Sequence, residues 1–149
     1  MSHIFISYVR EDQSLVDKLA AELTAKGALI WLDRDSINPG QIWQDAIRDG
    51  IEQGNFFLAC FSTSSVGKRK SVMNEELLIA VSELRKMPYG AVWFIPVLLD
   101  ECVVPRIPIA PSLTLHDIQW VSLVQNWNDG VERIASLTLD LEKKSAENR

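Results

Sequence analysis

The residues with most to offer chemically are Glu75-Glu76. They lie early in a stretch, about Val72 to Lys86, where Met73, Leu77, Ala80, Val81 and Leu84 recur at helical spacing. Adjacent helical residues project about 100° apart, so the two carboxylates cannot serve one site. Glu76 directly precedes the core candidate Leu77 and, with Val72 and Met73 one turn back, flanks the inward face; Glu75 points further outward. A carboxylate held there can stabilise positive charge developing on a ribose, as in oxocarbenium-like cleavage of a glycosidic bond. The other reading is an acid near a helix N-terminus, favoured by the macrodipole. Spacing leaves both open.

Other candidates are weaker. Trp31 and Trp43 flank a polar loop, where an aromatic can stack on a base or a nicotinamide ring, or can simply belong to the core. Lys68-Arg69-Lys70 can attract a diphosphate or can be a solvated charge run. Asn38-Pro39-Gly40 makes a turn, and an exposed loop of that kind is also a good partner-binding surface. His3 and His116 are isolated, so neither a zinc site nor a histidine-based triad is proposed, and no metal is expected.

The elements that must position these residues alternate. Ile4-Phe5-Ile6, Ala28–Leu32, Phe56–Phe61, Ala91–Leu99 and Ile118–Leu123 read as strands. Helical spacing runs over Asp12–Lys26 (Leu15, Val16, Leu19, Ala20, Leu23, stopped by Gly27), Ile42–Glu52 (Trp43, Ala46, Ile47, Ile51), Val72–Lys86 and Asn128–Leu141 (Val131, Ile134, Ala135, Leu137). Pro105, Pro108 and Pro111 make Asp100–Ser112 an extended loop. Short connections between strands and helices predict an α/β, flavodoxin-like three-layer sandwich: a five-stranded parallel sheet of order 2-1-3-4-5 with helices on both faces. Ligands of such folds sit outside the carboxyl ends of the strands, at the switch point between strands 1 and 3. The segments that meet there are Ser7–Asp12, Asp33–Trp43 and Ser62–Glu76.

Several chemistries of this fold are excluded. A phosphoacceptor receiver needs an Asp ending strand 3, where Phe61-Ser62-Thr63 stands. A flavin mononucleotide cradle after strand 1 would meet the carboxylates of Glu11 and Asp12. Neither GxGxxG nor a Walker loop occurs.

The chain has 149 residues, 47% of them hydrophobic and 23% charged, which fits one globular domain. Five Trp and five Phe exclude disorder. The longest apolar run, Ala91–Leu99, falls far short of the roughly 20 residues a membrane span needs. Net charge is −5 with 15 dispersed basic residues, so a nucleic-acid surface is not expected. Cys60 and Cys102 suit a reducing compartment, and Ser2-His3 leads directly into a strand, so no secretory leader is expected and the localisation is read as cytoplasmic. The domain is bounded at residues 1–142, with 143–149 a polar tail or linker stub; the charged end is read either as leading to a fused domain downstream of Arg149 or as a cut in a longer chain.

Ile4-Phe5-Ile6-Ser7-Tyr8 followed by Arg10-Glu11-Asp12 resembles the first signature of Toll/interleukin-1 receptor (TIR) domains. Ile30-Trp31-Leu32-Asp33, then Ile37-Asn38-Pro39-Gly40 and Trp43, is similar to their second strand and the long loop after it. Ser71-Val72-Met73-Asn74-Glu75-Glu76-Leu77 resembles the segment that carries the glutamate of NAD-cleaving members, and the overall flavour is prokaryotic. The resemblance covers about Ser2 to Leu141 and implies the fold already argued. It also implies one of two functions: cleavage of the nicotinamide–ribose bond of NAD+, giving ADP-ribose or a cyclic isomer, or association with other TIR domains alone. Carried over by motif, Glu76 is the catalytic glutamate, its carboxylate against the nicotinamide-side ribose. Trp31 matches a ring-stacking aromatic, Ser7, Tyr8 and Asp33 match strand-end positions lining the pocket, and Trp43 and Ser62 are further contacts. Many NAD-cleaving relatives carry Trp or Tyr four residues before the glutamate; Val72 stands there in this chain. NAD+ would be substrate, with no cofactor. Other TIR protomers would be partners, with Asp33–Trp43 the candidate contact, and the context immunity or cell-death signalling. A non-catalytic interaction module and a nucleoside deoxyribosyltransferase-like enzyme are the alternatives.

Overall fold

Phe56–Phe61 (β3) is apolar at every position, and every side chain is buried. Successive strand residues point to opposite faces, so Phe56, Leu58 and Cys60 enter one core while Phe57, Ala59 and Phe61 enter another. The structure is a computed structural model that describes residues 3–31, 40, 42–53, 55–66, 72–86 and 92–147, without the side chains of residues 31, 43, 44, 47, 51, 52, 72–75 and 140–147.

Around β3 lie His3–Ser7 (β1), Leu29–Trp31 (β2), Phe94–Leu98 (β4) and a later strand, Val121–Ser122 (β7). All pairings among them are parallel, in the order β2-β1-β3-β4-β7. This is the expected 2-1-3-4-5 order. Two strands unforeseen in the sequence intervene: Pro108–Ala110 (β5) and Leu113–Thr114 (β6) form an antiparallel hairpin where an extended loop is expected. The prolines exclude helix but not edge strand, and Ser112, with φ 68°, turns the chain between the two.

Gln13–Ala25 (α1) buries Val16, Leu19, Ala20 and Leu23 in the first core, while Leu15, expected on the same face, is exposed. The helix ends as its sequence predicts. Gly27, at φ 103°, donates to the Thr24 carbonyl and Ala28 to the Leu23 carbonyl, the paired bonds of a Schellman stop. Trp127–Glu147 (α5) shares this core through Val131, Ile134 and Ala135. It runs well past Leu141, so residues expected as a polar tail are helical to Glu147; Lys143, Lys144, Ala146 and Glu147 are all good helix formers.

The second core holds Leu77, Ala80 and Val81 of Val72–Lys86 (α4) against Phe5, Phe57 and Phe94. Phe57 stacks between the other two rings, with centroids at 5.4 and 5.6 Å. Trp43–Glu52 (α2) lies beside α4, where Arg48 Nε donates to Glu83 Oε1 at 3.0 Å. Ser62–Lys70, expected as a loop, begins instead with one helical turn, Thr63–Val66 (α3).

Candidate active site

The carboxyl edges of β1 and β3 carry buried polar side chains beside the two apolar cores. Ser7 closes β1, opposite Ala59 in the β1–β3 register, and both are fully buried. Its Oγ donates to Glu76 Oε1 at 2.9 Å across 69 residues of sequence. Glu76, on the fifth residue of α4, is 5% exposed. Leu77, Ala80 and Val81 anchor that helix on the sheet, so the carboxylate is presented at the strand ends rather than to bulk water. A buried carboxylate requires hydrogen-bond donors, and Ser7 supplies one.

A second serine–carboxylate pair lies at the end of β3. Ser62 Oγ donates to Asp12 Oδ2 at 2.5 Å, both side chains being buried. Asp12 ends a single 3-10 turn, Arg10–Asp12, after β1. Ser65 closes the α3 turn over Ser62: its backbone N–H donates to Ser62 Oγ at 3.2 Å and its Oγ to the Ser62 carbonyl at 2.9 Å. A third contact reaches the segment after β4, where Asp100, two residues beyond the strand, accepts the Thr63 N–H on both carboxylate oxygens, at 2.9 and 3.0 Å. Side chains thus join the ends of β1, β3 and β4. Nearby, burial and then the Asp100 carboxylate push the Cys102 thiol up to about 12, while burial raises that of Cys60.

Of the residues expected here, Ser7, Ser62 and Glu76 stand at this edge. Tyr8 follows Ser7 and packs, partly buried, against the first core. Trp31 ends β2 beside Phe5, and Trp43 opens α2, but both side chains lie outside the described ones. Asp33, most of the Asp33–Trp43 loop, Lys68-Arg69-Lys70 and the side chains of Val72 and Glu75 likewise lie outside the described residues. Asp12 and Asp100 were not singled out as hydrogen-bond acceptors. Asp12 reads in sequence as a repeller of phosphate and Asp100 as the end of an apolar run; both are short-chain acids just beyond strand ends, where turn N–H and hydroxyl donors need acceptors. Among the described residues no cluster of three His, Cys, Asp or Glu side chains is placed to hold a metal ion.

A doubly wound parallel sheet with the buried Ser7–Glu76 and Ser62–Asp12 pairs where the strand order reverses defines a flavodoxin-like α/β domain. Within that class the chain belongs to the TIR domain family, whose model matches residues 4–135. No curated protein matches it. Among solved structures it is similar to a metazoan TIR-STING receptor from C. gigas in complex with 2',3'-cGAMP, at 22% identity and a TM-score of 0.62 over 91% of this chain and 40% of that one. It is also similar to the TIR domain of the Toll-related receptor TRR-2 from Hydra magnipapillata, at 18% identity and a TM-score of 0.60 over 95% and 98% of the two chains. At these identities the likeness is one of fold. The chain spans 40% of the length of the C. gigas receptor chain. TIR domains generally associate with other TIR domains, and the family includes both NAD-cleaving enzymes and non-enzymatic adaptors.

Proposed function

We propose that this TIR domain cleaves the nicotinamide–ribose bond of NAD+, as prokaryotic NAD-cleaving members do, and that it acts when assembled with other copies in cytoplasmic immune or cell-death signalling. The observation that carries the reading is the buried Glu76 carboxylate, hydrogen-bonded by Ser7 at the edge where ligands of this fold bind.

The chemistry asks little more of the protein. As the C1′–N bond breaks, its electron pair passes to the pyridinium ring, and nicotinamide leaves as a neutral molecule. No general acid is required. Positive charge grows on C1′ and the ring oxygen of the ribose, and a fixed carboxylate beside the ribose stabilises it. Attack on C1′ by water, with loss of a proton to solvent, gives ADP-ribose; attack by an adenine nitrogen gives a cyclic isomer. In this reading Glu76 is the catalytic carboxylate, Trp31 and Trp43 stack on or enclose the rings, and Tyr8 and Asp33 line the pocket. The Asp33–Trp43 loop is the surface offered to a neighbouring protomer.

The test is chromatography of NAD+ incubated with concentrated or deliberately assembled protein. Release of nicotinamide that disappears in a folded Glu76→Ala variant is the expected result. An inert protein under assembly conditions, with association lost on changing Pro39 or Gly40, would establish the non-catalytic module instead. Turnover of nucleosides but not NAD+ would identify a deoxyribosyltransferase-like enzyme.

A further inference from the structure

We propose that Ser7 is a positioning residue whose hydroxyl aims the Glu76 carboxylate, and that it does not itself contact the substrate. The inference rests on the reading of Glu76 as the catalytic carboxylate, and it changes the role that the family resemblance implies for Ser7, that of a pocket-lining contact.

A serine hydroxyl has one proton to donate. That of Ser7 goes to Glu76 Oε1 at 2.9 Å, a normal length for this bond. The Ser7 side chain has no solvent exposure from which to reach a ligand. Its backbone ends β1, the second strand of the five, in register with fully buried Ala59 of β3. The donor therefore sits on a strand end that is buried and paired with β3.

Glutamate is the opposite case. Its carboxyl group lies at the end of a long side chain that is free to take several rotamers. Packing of Leu77, Ala80 and Val81 fixes the helix that carries Glu76 but not the direction of its carboxylate. The Ser7 hydroxyl, fixed on β1, holds one of its two oxygens, Oε1. Misplacement of a catalytic group by about 1 Å can cost about 100-fold in rate, so a positioning bond acts on turnover while leaving substrate affinity nearly unchanged.

Three variants separate donor from volume. Ser7→Ala removes the hydroxyl, Ser7→Cys keeps nearly the same volume with only a weak donor, and Ser7→Thr keeps the hydroxyl and suits a strand. Each is brought to an equal folded concentration by circular dichroism, and nicotinamide release is measured across NAD+ concentrations under assembly conditions. The expected result is kcat lowered about 10- to 100-fold in Ser7→Ala and Ser7→Cys and largely recovered in Ser7→Thr, with KM within about twofold throughout. Wild-type kcat in Ser7→Cys, or a KM raised severalfold in Ser7→Ala at unchanged kcat, overturns the inference while the proposed function stands. A wild-type protein that releases no nicotinamide overturns the proposed function, and this inference with it.

Discussion

Ser62 Oγ donates to the Asp12 carboxylate across 50 residues of sequence, tying the turn after β3 to the turn after β1. Both side chains are buried, so neither group has bulk water to fall back on. Asp12→Ala would leave the Ser62 hydroxyl buried without that acceptor, a loss of about 1–3 kcal/mol. Asp12→Asn keeps an acceptor oxygen of similar reach and should cost less. Urea unfolding of the two variants beside the wild type measures the difference; equal stabilities for the alanine and asparagine variants would show that this bond does not hold the two turns together.

Gly130 is a helical glycine whose replacement by alanine ordinarily gains about 1 kcal/mol. Here the sign should reverse. A Cβ at this position would press against the Leu123 side chain and come within 3.1 Å of the Ser122 carbonyl oxygen, where α5 rests on β7. Leu123 is itself buried and has little room to yield. Overpacking of this kind costs about 1–3 kcal/mol, so Gly130→Ala should lower the melting temperature rather than raise it. Thermal unfolding by circular dichroism reads the sign directly.

Cys102 tests the electrostatics at the end of β4. Burial, and then the Asp100 carboxylate, disfavour its thiolate and push its pKa up to about 12. At pH 8 that leaves roughly one molecule in ten thousand as thiolate, the form that reacts. Iodoacetamide should therefore label Cys102 far more slowly than a free cysteine, with the rate rising as pH climbs towards that value. Asp100→Asn removes the negative charge and should move the rise to lower pH. Rates followed by mass spectrometry, peptide by peptide, distinguish Cys102 from buried Cys60.

How much of this was legible in the sequence follows from the range of each interaction. The order of the parallel strands could be read because β3 is continuously apolar and the helices carry their own spacing, both local signals. The candidate site's location followed from that topology, and Glu76 from its place beside Leu77. The bonds that organise the site could not be read. Ser7–Glu76, Ser62–Asp12 and Thr63–Asp100 join residues 69, 50 and 37 apart, and no periodicity encodes such a pairing. The β5–β6 hairpin was missed for another reason: its prolines are breakers of helix, and their tolerance in a short edge pair carries no sequence signal. Leu15 fits the helical spacing of α1 yet is exposed, because the apolar stripe of that helix is wider than the face the sheet covers.

Glu76→Gln separates the two readings with which Glu76 began. Glutamine keeps the shape and an oxygen that can accept the Ser7 hydroxyl, so the contact to β1 survives while the negative charge is lost. An acid placed only to favour a helix N-terminus would, on this change, cost about 0.3–1 kcal/mol and leave any turnover intact. A carboxylate that stabilises charge developing on the ribose behaves otherwise: removal of one such electrostatic partner typically costs about 10²–10³ in kcat. The expected outcome is thus a cooperatively unfolding Glu76→Gln protein, within about 1 kcal/mol of wild type, whose nicotinamide release falls by about 10²–10³. Chemical denaturation and NAD+ turnover on one preparation supply both numbers. Turnover equal to wild type would return Glu76 to a structural role and place the chemistry of the site elsewhere.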